Sequence, residues 1–333
     1  MRRQRGVALI TAIFVVTLAT IAAVAMLESS NIAVHRSANL VQSETEWWYA
    51  SGVESWVKGV LMQDAKLSSA TGGNNVVGLN GLWAKPVDFL PIDGGAMRGH
   101  IDDLQGRFNL NNLGMPGSGT ANNTANDAPT VYTAQFERLL DNLPNFDASK
   151  YHGISFAIRD WVDLDEQRSG SDGAEDQDYQ SQDPPYRAAN QPMHSVSELL
   201  LVRGMTKELY TALLPYVAAL PMGTALNINT APEPVLLSLG SNIDRSAAER
   251  FIAARKLTPF NSAGAASSGP LAFVGQSQNP NDPKAPPTDV TSSYFGLQAE
   301  VFIGSGRLAL YSVIFRPGGG GTPVVLAHST NTQ

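Results

Sequence analysis

The sequence predicts an α+β fold: a long N-terminal helix packed on a small antiparallel sheet, with a large all-α domain inserted in the sheet. Three observations carry this. A helical pattern runs from Val7 to about Lys66 with no Pro and with Gly only at 52 and 59. Short apolar segments separated by turns fall in two clusters, one before residue 114 and one after residue 297. Helical patterns fill the interval, between linkers rich in Gly, Ser, Asn and Pro. The chain therefore divides into a basic head (1–6), an apolar span (7–27), an amphipathic continuation of the same helix (28–66), the first part of a sheet (67–114), an inserted helical domain (115–290) and C-terminal strands (291–333).

The head, MRRQRG, carries Arg2, Arg3 and Arg5 and ends in Gly6; Val7 to Leu27 follows as 21 residues without a charge, closed by Glu28. At ~1.5 Å per residue such a helix is about 30 Å long, the thickness of a bilayer core. Three membrane signals compete. A cleaved secretory signal needs a shorter apolar run of about 7–15 residues and a small-residue site after it; Met26-Leu27-Glu28 offers none. A plain anchor would keep its arginines in the cytoplasm. The third places a processing site at Gly6, before the apolar run.

Beyond Glu28, apolar residues including Ile32, Leu40, Val41, Val53, Val57, Val60 and Leu61 recur at helical spacing. Glu44, Glu46, Glu54 and Lys58 mark the wet side. Trp47, Trp48 and Trp56 are read as core packed against the sheet, with an interface role as the alternative. Gly72-Gly73-Asn74-Asn75 ends the helix. Val87 to Leu90, Met97 to Ile101 and Phe108 to Asn111 are predicted strands. Gln298 to Ile303 and Arg307 to Phe315, joined by Gly304-Ser305-Gly306, form a predicted hairpin, and Pro323 to His328 adds a strand.

Gly114 to Thr130 and Asn261 to Val290 are the linkers that bound the insertion. Within it, helices are predicted at Val131 to Leu143, Lys150 to Asp163, Ser195 to Val202, Lys207 to Val217, Thr230 to Leu239 and Arg245 to Lys256. Thr230 and Glu233 read as a capping box, as do Ser195 and Glu198. Two helix pairs, around Arg203-Gly204-Met205 and Ser238-Leu239-Gly240-Ser241, look like helix-hairpin-helix units. That shape makes a membrane-tethered DNA receptor the rival reading. The charge opposes it: the net charge is −7, with no basic excess to neutralise phosphates.

Asp160 to Asp183 holds nine carboxylates (Asp160, Asp163, Asp165, Glu166, Asp172, Glu175, Asp176, Asp178, Asp183) against Arg168 alone. Crowded carboxylates repel unless a cation or solvent separates them. Hard oxygen donors on Gly-containing turns suit calcium; a solvated acidic loop is the plainer alternative. The run leads back into PPYRAANQPMHSVSELL, so the loop must fold over. The chain has no cysteine, so a metal could serve as its staple. Read as an EF-hand from Asp163, the run puts Arg168 where Gly is needed and Ala174 where the bidentate Glu belongs, so any site is irregular.

No enzyme motif is present: no H-E-x-x-H, no P-loop and no G-x-S-x-G. The five histidines (35, 100, 152, 194 and 328) are scattered. Asp160 and Asp163 lack the aromatic platforms of a glycosidase cleft. The chain is therefore expected not to be an enzyme.

The basic leader ending in Gly6 and abutting the apolar helix resembles the class III signal of type IV pilins and type II secretion pseudopilins. Further motifs are Asp160-Trp161 with Asp163 and Asp165, Gly173 to Asp176, Pro184 to Arg187, Ala189-Asn190, Ser195 to Leu199, Val202 to Thr206, and Asn227 to Ala231. Together they are similar to the general secretion pathway protein K family across nearly the whole chain. The resemblance implies a pseudopilin fold with a helical insertion. It implies cleavage by a prepilin peptidase between Gly6 and Val7, with methylation of the new terminus. It implies a calcium site, placed first on Asp163, Asp165, Glu175 and Asp176 and then on Asp160, Asp178 and Asp183. Most pseudopilins carry Glu at the fifth mature position, where it neutralises the N-terminal ammonium of the adjacent subunit; here that position is Thr11. In the family its absence marks a minor pseudopilin at the pseudopilus tip. The implied partners are minor pseudopilins of the I, J and H types, the inner-membrane secretion platform and secreted exoproteins, without nucleic acid. The implied location is the inner membrane, single-pass, with a cytoplasmic N-terminus and a periplasmic bulk.

Overall fold

The computed structural model describes residues 5–70, 75–115, 130–264 and 286–331. Residues 1–4 of the leader, 72–74 of the first Gly-Asn break and most of both linkers lie outside the described residues. The first elements are α1 (Arg5–Ala70), β1 (Val87–Ile92), β2 (Gly95–Asp103) and β3 (Phe108–Asn109). Then come α2 (Val131–Asp141), α3 (Ile154–Val162), α4 (Asp176–Gln180), α5 (Lys207–Leu213), β4 (Val217–Ala218), β5 (Leu226–Asn227), α6 (Glu233–Ser238) and α7 (Arg245–Leu257). The chain closes with β6 (Thr288–Asp289), β7 (Tyr294–Ile303), β8 (Gly306–Phe315) and β9 (Val324–Thr330).

Five antiparallel strands form one sheet in the order β1-β2-β7-β8-β9. Strands β2 and β7 are direct neighbours in space, so everything from β3 to β6 leaves the sheet at Asp103 and returns at Tyr294. The β7–β8 turn is Gly304-Ser305, with Ile303 opposite Gly306. Gly304 takes φ +57, which favours Gly, and a Cβ on Gly306 would lie 1.9 Å from Glu46 Oε1.

Helix α1 crosses the sheet over β7 and β8. Its covered face is Glu46, Ala50, Val53, Val57, Leu61 and Asp64, a three-four spacing. Across from it stand Phe295, Leu297, Val301 and Leu310, of which Phe295 and Val301 are fully buried. Burying each such side chain stabilises by about 1.5–3 kcal/mol. Two expectations are corrected here. Glu46 and Glu54 face the sheet: Gln42 Nε2 donates to Glu46 Oε1 (3.2 Å) and to the Ile303 carbonyl (2.6 Å), and Ser312 Oγ donates to Glu54 Oε1 (2.6 Å). Trp47, Trp48 and Trp56 are exposed by 38%, 69% and 54% and so are not core. The helix covers β7 and β8 and leaves Trp48 and Trp56 beside the barer β1–β2 side, where they flank an apolar groove with Leu90 and Met97, while Trp47 meets His328 of β9 edge-on.

The insertion has its own core, built on Phe108, Phe136, Ile158, Tyr179, Leu209 and Phe251. It is not all-α. The predicted strand at Phe108 to Asn111 does not join the main sheet; β3 pairs parallel with β4, and β5 pairs parallel with β6. Thr130 caps α2 and Asp244 caps α7, each through its side-chain oxygen. Ser195 and Glu198 form the expected capping box, but over a 3-10 turn, Val196–Leu201. Thr230 does not cap α6. Pro232 occupies that position and Glu233 is the first helical residue, paired with Arg245 Nε at 3.1 Å. The Thr230 hydroxyl instead donates to Asp103 Oδ2 at 2.6 Å.

Candidate functional site

The acidic run sits at the C-terminal end of α3. That helix buries eight of its nine residues, Asp160 among them, and it ends at Asp163, where the backbone turns extended. Asp163 and Asp165 leave the helix end, the chain loops through Gly170 and Gly173, and Glu175 returns as the residue before α4. One ligand oxygen from each of Asp163, Asp165 and Glu175 lies within 4.8 Å of the others.

Two of these carboxylates are buried with oxygens left unpaired. Glu175 is 8% exposed and neither of its oxygens accepts a hydrogen bond; Asp163 is 9% exposed and its Oδ1 accepts none. Arg159 Nε is 3.9 Å from Asp163 Oδ2, too long for a strong pair. Burial, aided by the charges of Asp165 and Asp160, pushes the Asp163 carboxyl up to about 7 against the pull of Arg159. Burial, then the charges of Asp160, Asp163 and Asp165, pushes Glu175 up to about 8. Unpaired buried carboxylates are costly, and a divalent cation would satisfy both. The all-oxygen donor set fits a hard cation such as calcium.

The other sequence-predicted ligands fall outside this group of three. Asp160 is fully buried and accepts from the Ser169 amide (3.0 and 3.1 Å) and the Ala174 amide (2.7 Å). Burial raises its pKa despite those bonds. Asp178 pairs with Arg168, accepts from Arg203 Nη1 (2.9 Å) and receives the Glu175 amide (3.1 Å). Burial opposes its ionisation, but the Arg168 hydrogen bond and charge hold it below the usual carboxylate range. Asp176 Oδ1 accepts from the Ala188 amide (3.0 Å), and Arg187 stands 3.7 Å from Oδ2. Asp183 is exposed. Sequence reasoning could not see that Asp160 and Asp178 are occupied by backbone amides and arginines. The signal available was the Gly173-Ala174 pair, whose small residues allow a buried carboxylate close by.

At the other end of the molecule, α1 is long and apolar enough to cross a membrane, and its apolar window is wholly uncovered by the rest of the chain. Gly6 and Val7 both lie within α1. The Thr11 hydroxyl donates to the carbonyls of Val7 (3.1 Å) and Ala8 (3.0 Å).

Residues 106–222 and 226–284 match two family models, each described as type II secretion system (T2SS), protein K. The type II secretion system protein K of Aeromonas hydrophila is 35% identical over 326 residues, 95% of this chain and 94% of that protein. That of Pseudomonas aeruginosa is 36% identical, covering 78% of this chain and 75% of its own length. Among solved structures, a chain of the GspK–GspI–GspJ complex of the enterotoxigenic Escherichia coli type 2 secretion system superposes with TM-score 0.74 at 26% identity, covering 90% of this chain and 100% of that one.

Proposed function

The chain belongs to the type II secretion system protein K family, and from that premise we propose that it is a minor pseudopilin that caps the pseudopilus tip and starts its assembly. In this reading the fold is a pseudopilin fold enlarged by the insertion between β2 and β7. Prepilin peptidase cuts between Gly6 and Val7, and α1 serves first as a single-pass inner-membrane anchor and then as a filament spine. The N-terminus is cytoplasmic and the bulk periplasmic. The chain works without catalysis, by binding minor pseudopilins of the I, J and H types and contacting the secretion platform and exoproteins.

Thr11 is the observation that carries the tip assignment. Its hydroxyl is used by its own helix, so nothing at that position can neutralise the ammonium of an adjacent subunit. An uncompensated charge in hydrocarbon is expensive, which disfavours a subunit stacking beyond this one. Bulk supports the same placement, because the inserted domain would crowd a helical shaft. Exposed Trp48 and Trp56 support an interface on α1.

In the same reading Asp163, Asp165 and Glu175 hold calcium, which acts as a staple by neutralising buried carboxylates in a chain without disulfides. Co-purification from membranes with the I- and J-type pseudopilins tests the assignment. Recovery of all three in one complex is expected. Retention on duplex DNA in a salt-sensitive manner, without pseudopilins, would overturn it in favour of a DNA receptor.

A further inference from the structure

Resting on the calcium reading above, we infer that Asp160 is a positioning residue, outside the ligand set, that closes the loop between Asp163 and Glu175 so that its three carboxylates converge. The side chain is on the last turn of α3, fully buried, and both its oxygens are engaged by backbone amides within the loop. One of those amides, Ala174, immediately precedes Glu175, so the 2.7 Å bond from Ala174 fixes where the Glu175 carboxylate begins. The other, Ser169, lies at the opposite end of a tight turn closed by the Gly173 amide on the Ser169 carbonyl at 3.1 Å. Asp160 thus ties both ends of the 169–174 turn to the helix that also delivers Asp163. Charge-assisted bonds of this kind are about twice as strong as neutral ones.

Gly173 shows how closely the turn is drawn onto Asp160. A Cβ there would fall 2.3 Å from Asp160 Oδ2 and 2.5 Å from the Ser169 carbonyl. The turn therefore cannot sit on this carboxylate with any side chain at 173. Asp178 braces the outer side through the Glu175 amide, Arg168 and Arg203. Asp160 and Asp178, two of the acidic residues that look like extra ligands in the sequence, form the frame around the three that converge.

Calorimetric titration of calcium into the full-length chain in detergent tests this with three variants: D160N, G173A and D163N. G173A keeps every carboxylate, so it separates loop shape from charge. The wild type is expected to bind and D163N to lose the binding heat. D160N and G173A are expected to retain the stoichiometry while Kd rises at least tenfold, and calcium is expected to raise their melting temperatures less than the wild type's. A folded G173A with wild-type Kd overturns the inference, as does a D160N that loses the binding heat as completely as D163N or keeps the wild-type Kd. The last two outcomes decide the matter even if G173A does not fold. A wild-type chain with no binding heat refutes the calcium reading itself, and the inference with it.

Discussion

Asn227 Nδ2 donates to Asp103 Oδ2 at 2.9 Å, and that contact joins the inserted domain to the sheet. Asp103 is the last residue of β2 and Asn227 the last of β5. The same Asn227 amide reaches the Val77 carbonyl (3.1 Å) and Ser292 Oγ (2.9 Å), and Asp103 also receives Ser292, Thr230 and the Gln105 amide. Arg316 continues the joint to α1, with Nη1 3.5 Å from Asp64 Oδ2. Asn227→Ala would strand buried polar groups, which costs about 1–3 kcal/mol. A thermal melt of the full chain should show a loss of that size; an unchanged melting temperature would mean the joint bears no load.

The pH dependence follows from Asp163 and Glu175. Both folded-state pKa values, about 7 and about 8, lie above ordinary carboxylate values. The folded state then binds more protons than the unfolded one between the ordinary carboxylate range and pH 8, so stability falls as pH rises through that window. In chelator, the melting temperature should drop from pH 5 to pH 8. With calcium at about a hundred times Kd, binding adds about 2.7 kcal/mol and the drop should shrink or vanish at the alkaline end. A chelated protein as stable at pH 8 as at pH 5 would count against the buried-carboxylate account.

Glu175→Gln should reverse sign with calcium. Without the ion it removes a buried unpaired charge, so the variant should melt above the wild type at pH 8. With saturating calcium it lacks a ligand and should melt below. Melting curves in chelator and in calcium decide this, and a variant that is less stable in both would show Glu175 to be a structural residue only.

The exposed tryptophans call for the opposite pattern. Trp48→Ala with Trp56→Ala removes rings that are 69% and 54% exposed. The stability of the isolated chain should change by no more than about 0.5 kcal/mol per site. Association with the partner pseudopilins should fall, measured by pull-down. Loss of stability with full association would return these rings to the core.

The long helix and the β7–β8 hairpin were legible because periodicity and Gly-rich turns are local signals. What was not legible depended on which face meets what. Glu46 and Glu54 read as wet, yet Gln42 sits beside Glu46 and Ser312 satisfies Glu54 across the sheet. Trp48 and Trp56 read as core because size and aromaticity say nothing about how wide a sheet one helix can cover. Phe108 has strand propensity, but its partner, Val217, is far along the chain. At the acidic loop, composition marked the stretch in which Asp163, Asp165 and Glu175 come together. That Asp160 is held by the Ser169 and Ala174 amides is encoded by no side-chain pattern.

The central claim is position at the tip, and electron microscopy of assembled pseudopili carrying a label on the inserted domain tests it most directly. The account predicts label at one end of each filament and none along the shaft. Label repeating along the shaft would contradict it, because Thr11 and the inserted domain would then have failed to exclude a neighbouring subunit.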